Sequence, residues 1–180
     1  IKCRRLVMRE GAYIGRTNLL YGPCSIWLKK RGAIGNSNKI TRPAQGIVAH
    51  GASQLRIGAL GKITADHRVD VTNNLLIGDY STIAGTSSQI WTHGYVHAPT
   101  GPGRYRVDGH VTLGDNVYVG SASIINAGFT CVNSVILGAG IILAKPITEP
   151  GLYVAAGVRK LPLPTDPETR EDLELIDDPL

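Results

Sequence analysis

The stretch that decides the fold is residues 107–143, VDGHVTLGDNVYVGSASIINAGFTCVNSVILGAGIIL. Stepping by six from Val107 gives Leu113, Val119, Ile125, Cys131, Leu137 and Leu143, all apolar. In a chain that is 43% hydrophobic, seven such hits in a row arise by chance roughly three times in a thousand. Working outward, the same period runs through Val71, Ile77 and Ile83, and in another phase through Ile57, Ile63 and Val69. Gly follows the apolar residue at Gly15, Gly35, Gly58, Gly78, Gly114, Gly120 and Gly138.

A six-residue period suits neither an α-helix, which repeats every 3.6 residues, nor one long strand, which repeats every two. It suits a short strand and a sharp corner, repeated. Three such units close a triangular coil of about eighteen residues, and coils stack into a prism. The residue at each period start then points inward, and Ile, Val and Leu suit that flat, stacked wall. A small residue beside it lets the chain turn without a Cβ clash. Composition agrees: 22 Gly and only 6% aromatic residues describe many small similar layers, not one irregular core.

The remaining composition narrows the function classes. No apolar run is long enough to span a bilayer. Three cysteines, Cys3, Cys24 and Cys131, form no disulfide framework and no CxxC pair, so a reducing cytoplasm is the expected setting. Residues 1–164 carry 18 basic against 7 acidic residues, whereas 165–180 carry seven acidic residues and one Arg. The body therefore suits an anionic ligand. No basic helix with interleaved aromatics is present, which argues against nucleic acid.

The repeat fails between Ile83 and Val107. Gly94, Pro99, Gly101, Pro102 and Gly103 crowd that gap, so residues 94–106 are expected to form a loop extruded from the scaffold. The tail, 165–180, reads as a short helix that caps the prism: Asp166 as N-cap, Pro167 in the first turn, Glu168 and Glu171 at the positive end. Residues 1–164 form the single repeat domain.

This pattern resembles the left-handed parallel β-helix of the hexapeptide-repeat acyltransferases. The match is most specific at Ser87-Ser88-Gln89-Ile90-Trp91-Thr92-His93-Gly94-Tyr95. Xenobiotic- and galactoside-type acetyltransferases carry their catalytic His in a Thr-His-Pro-like stretch at this point, about sixteen residues after an Ile-Gly-Asp corner and before an extended loop. Ile77-Gly78-Asp79 and the Gly/Pro loop meet that description, with Gly94 replacing the Pro. The resemblance implies His93 as general base, acetyl-CoA as co-substrate, and a homotrimer with active sites between subunits. It implies a cofactor groove at Ser121, Ala139, Ala144 and Lys145, with Arg159 or Lys160 on a CoA phosphate. It also suggests Asp66, Trp91, Tyr95 and His97 for the acceptor.

Four readings follow. The leading one is acetyl transfer to a saccharide hydroxyl, of a capsule or O-antigen type glycan or its precursor. The others are N-acetylation of a nucleotide-linked amino sugar, a non-catalytic trimeric scaffold, and a metal hydratase of the same fold. The last needs His93, His97 and His110 to hold an ion, and their spacing (a close pair first, then a gap) is the reverse of what that class uses. No metal ligands are therefore assigned.

Overall fold

A computed structural model describes residues 1–44, 49 and 51–155, and the backbone of 159–161. Among these there is no helix, and parallel strands stack in three faces. The second face shows the construction most simply. Ile14, Ile34, Ile63, Ile83, Val119 and Leu137 stand in one column, each paired with the next. On the third face Ile40, Val69, Ile90, Ile125 and Leu143 do the same. Leu28, Ile57, Ile77, Leu113 and Cys131 line the first face. Neighbouring coils are one strand spacing apart, about 4.8 Å.

All of these except half-buried Ile14 are buried, and together they form one continuous core. Each buried Ile or Leu contributes about 1.5–3 kcal/mol relative to exposure. Coil length is not uniform. Leu113 lies beside Cys131, eighteen residues on, but Ile57 lies beside Ile77, twenty residues on. The longer N-terminal coils spend their extra residues at the corner from the third face to the first. There the strand Leu19–Leu28 runs through the corner unbroken, bending at Gly22.

Two corners use left-handed backbone. Arg31, Leu60, Tyr80, Asn116 and Ser134 mark one column, and Thr17, Ser37, Asp66, Ser87 and Ala122 the other. The glycines after the inward residues do a different job. A Cβ on Gly78 would meet the backbone of Gly114, and one on Gly58 would meet the backbone of Gly78. They permit close stacking of coils, and the turning residue is two positions further on.

Val107 departs from the sequence reading. It is 42% exposed and lies outside the inward column. The expected loop is a two-stranded antiparallel hairpin, His93–His97 with Arg104–Asp108, and it begins at His93 itself. Val107 lies in the returning strand of this hairpin, and the next coil first turns inward at Val111 and then at Leu113. The expected C-terminal helix lies outside the described residues. Among the described residues no helix is long and apolar enough to cross a membrane.

Candidate active site

The hairpin leaves the prism at the corner between the third and first faces. Ile90 is the last inward residue of its coil, the chain turns through Trp91 and Thr92, and His93 opens the outgoing strand. Gly109 returns beside it and donates its N–H to the Thr92 carbonyl, closing the base of the hairpin.

Beneath that base lies Asp70, the last residue of strand Arg68–Asp70, only 5% exposed. Its carboxylate accepts five hydrogen bonds. Oδ1 takes the Thr72 N–H at 3.0 Å and the Thr72 hydroxyl at 2.5 Å. Oδ2 takes the Thr92 N–H at 2.9 Å, the Thr92 hydroxyl at 2.7 Å and His93 Nδ1 at 2.8 Å. Burial pushes the carboxyl pKa up, but the bonds from Thr72, Thr92 and His93 outweigh it, and the net shift is downward. Asp70 is thus ionised and can only accept, so His93 Nδ1 carries the proton. In the neutral ring this leaves Nε2 as a lone-pair acceptor. The His93 side chain is 17% exposed.

A second layer holds this pair. Asn73 donates its N–H to Thr92 Oγ1 at 2.9 Å and its side-chain amide to the Thr92 carbonyl at 2.9 Å and to Asp108 at 2.7 Å. Arg106 Nη2 binds the same Asp108 oxygen at 2.6 Å. Tyr95 presents its ring edge-on to His93, centroids 6.2 Å apart.

The residues singled out by sequence distribute around the third face. Trp91 adjoins His93 at the corner, its indole N–H on Gln89 at 3.2 Å. Ala144, two coils further along, occupies the equivalent corner position to Trp91, and exposed Lys145 follows it. Ser121 and exposed Ala139 lie on the opposite edge of the same face. Between the two edges the outward residues are Ile124 and Ile142, the latter 63% exposed. Asp66 also lies on that opposite edge, so one protomer does not bring it to His93. His97 is exposed on the hairpin. Arg159 and Lys160 pair by backbone with Val154 and Tyr153, and their side chains lie outside the described residues.

Two other histidines are occupied. His110 Nδ1 accepts the Asn74 N–H at 3.2 Å. Buried His67 accepts the Ser88 N–H at Nδ1 and meets Thr64 Oγ1 at Nε2. Among the described residues no three His, Cys, Asp or Glu side chains converge as a metal site requires. Asp70 is the candidate site residue that sequence reasoning missed. Its signal was a charged residue between Val69 and Val71, two inward positions.

No family model matches the sequence. The galactoside O-acetyltransferase of Escherichia coli K12 is 33% identical over 96 residues, which are 53% of this chain and 43% of that protein. The match thus spans less than half the length of that relative. A hexapeptide-repeat-containing acetyltransferase from Vibrio cholerae superposes with a TM-score of 0.53 at 17% identity, covering 84% of this chain and 73% of that one. AntD, an N-acyltransferase from Bacillus cereus solved with dTDP and 3-hydroxybutyryl-CoA, gives 0.58 at 18% identity, covering 87% and 81%. Repeat, coil register and these likenesses together place the chain among the left-handed hexapeptide-repeat β-helices, the fold of the hexapeptide-repeat acetyltransferases.

Proposed function

We propose that this protein is an acetyl-CoA-dependent O-acetyltransferase acting on a saccharide hydroxyl, with His93 as general base. The observation that carries the reading is the Asp70–His93 pair, 2.8 Å apart at the root of a projecting hairpin. A sugar hydroxyl attacks a thioester slowly unless its proton is taken as the C–O bond forms. Neutral His93 Nε2 takes that proton. The oxygen adds to the thioester carbonyl, the tetrahedral intermediate collapses, and the C–S bond breaks. The imidazolium, stabilised by ionised Asp70, returns the proton to the departing CoA sulfur. Asp70 is a positioning residue: it selects the tautomer and touches no substrate.

The third face supports the cofactor assignment. Small Ser121, Ala139 and Ala144 edge a strip bearing Ile124 and Ile142, which suits an extended, partly apolar pantetheine arm. Lys145 stands at its end for a phosphate. The relatives' use of acyl-CoA supports the same reading. The homotrimer draws support from the hairpin. Tyr95, Val96, Tyr105 and Val107 are 42–66% exposed on it. A lone two-stranded hairpin is marginal in water, and contiguous exposed apolar residues mark a contact. A neighbouring protomer would cover them and bring its own residues, Asp66 among them, toward His93. A reducing cytoplasm suits the three free cysteines.

Release of CoA thiol from acetyl-CoA, followed with a thiol reagent across neutral, acidic and amino sugars, tests this reading. His93→Ala is expected to lower turnover roughly 10²–10⁴-fold. Asp70→Asn also loses turnover, because an amide can donate to Nδ1 and select the wrong tautomer. Undiminished turnover in His93→Ala removes the base assignment. The AntD likeness favours a second reading, an amine acceptor; faster release with amino sugars than with their hydroxyl counterparts would select it.

A further inference from the structure

The outer side of the first face carries a feature that acyl transfer at His93 does not use. Trp27 projects from the second coil between two guanidiniums. Arg5 Cζ stands 4.7 Å from the ring centroid and Arg56 Cζ 5.9 Å, both within cation–π reach. A groove opens on either side of the indole. The one toward the His93 corner, about 540 Å³, is lined by Arg4, Arg5, Trp27, Ser53, Gln54 and Asn74 among others, and holds no carboxylate. The one toward the far corner, about 520 Å³, adds Arg9, Lys29 and Arg56. Its two carboxylates are engaged: Asp79 accepts from Lys29 at 2.9 Å and from the Ala59 N–H, and Asp115 accepts from the Asp79 N–H.

Arg4, Arg5, Arg9 and Arg56 are exposed, and none forms an ion pair among the described residues. Four unneutralised guanidiniums on one flat face repel one another and raise a local positive potential. Arg4, Arg5 and Arg9 follow one another along the first coil and Arg56 stands on the third, with Trp27 on the coil between, so the charges form a line rather than a point. That arrangement suits charges distributed along an extended ligand better than one compact diphosphate. The indole between Arg5 and Arg56 is covered by a guanidinium on each face, and it holds the two charges in place along the groove.

The groove also leads to the proposed base. It ends at Asn74, and the preceding residue, Asn73, holds Thr92 beside His93. Trp27 lies two to three strand spacings from the His93 coil, roughly 10–15 Å. We infer that the first face binds the acceptor itself, and that the acceptor is an acidic oligosaccharide. The guanidiniums hold its carboxylates, Trp27 orders Arg5 and Arg56 between which the chain runs, and a hydroxyl further along the chain reaches His93. Only this last clause rests on the acyltransferase reading; the binding does not.

The chain has two tryptophans, so in a Trp91→Phe background the fluorescence reports Trp27 alone. Trigalacturonate is expected to shift that emission saturably, and 0.5 M NaCl to abolish the shift. Neutral maltotriose is expected to leave it unchanged. Arg5→Ala with Arg56→Ala should weaken trigalacturonate binding roughly tenfold or more. Equal binding of maltotriose, tighter binding of uridine diphosphate than of trigalacturonate, or full affinity in the double variant would each overturn the inference. In the thiol-release assay the double variant should lower kcat/KM for acidic acceptors relative to neutral ones. Failure of every acceptor to release CoA would overturn the acyltransferase reading, while the fluorescence result decides the binding face independently.

Discussion

His67 and His93 are the same side chain set to opposite tasks by what faces each ring. His93 turns Nδ1 to an ionised carboxylate. His67 sits in a buried polar ladder in which each residue accepts an N–H from the next coil: Asn18 from Asn38, Asn38 from His67, His67 from Ser88, and the Ser88 hydroxyl from Ser123. Protonated, His67 could not accept the Ser88 N–H, and burial holds its pKa below the usual 6.5. Below pH 6.5 the unfolded chain gains a proton that folded His67 resists, so stability is full above that pH and falls as pH drops beneath it. We expect the wild-type melting temperature to drop between pH 7.5 and pH 5, and His67→Asn, which keeps an acceptor, to drop less. Equal drops would remove His67 as the cause. Asp70 does not confuse this window: its depressed pKa adds stability that is present above about pH 4 and lost only as pH falls lower. His93 was legible from its place before the break in the repeat. Its partner, 23 residues away, was not, because only the coil register places Asp70 under Thr92.

At the scale of elements, corners and hairpin explain most of what the six-residue period concealed. The Ile-Gly pairs mark corners correctly, yet the glycine serves the coil stacked against it, while non-glycine residues such as Tyr80 and Asn116 take the left-handed turn. Gly78→Ala should therefore cost about 1–3 kcal/mol in denaturant unfolding, since its Cβ would press on the Gly114 backbone. Gly94→Ala, beside the catalytic candidate, should change stability by no more than about 0.5 kcal/mol, because nothing lies within 4 Å of its Cβ. The reverse order of costs would contradict the stacking role. The hairpin was read as a loop because Gly and Pro cluster only at its tip, around Pro99 to Gly103. Its strands, His93–His97 and Arg104–Asp108, are too short and mixed in polarity to stand out.

For the whole molecule, the prism turns outward a hairpin bearing exposed Tyr95, Val96, Tyr105 and Val107 and a basic-aromatic face around Trp27. The proposed trimer would cover the hairpin. Sedimentation equilibrium is expected to return about three times the 19.2 kDa chain mass, and a monomer at micromolar concentration would leave Tyr95 and Tyr105 unexplained. The sequence by itself determined the repeat, the inward columns, the corners and the place of the interruption, because a stacked coil meets only its neighbours and its pattern is local. Tertiary structure alone decided which residues stack across coils. Contacts between residues 20 to 36 positions apart depend on how many residues each corner and insertion consumes, and no period encodes that count. That is why Asp70 under His93, Arg5 and Arg56 around Trp27, and Val107 outside the core became visible only once the coils were stacked.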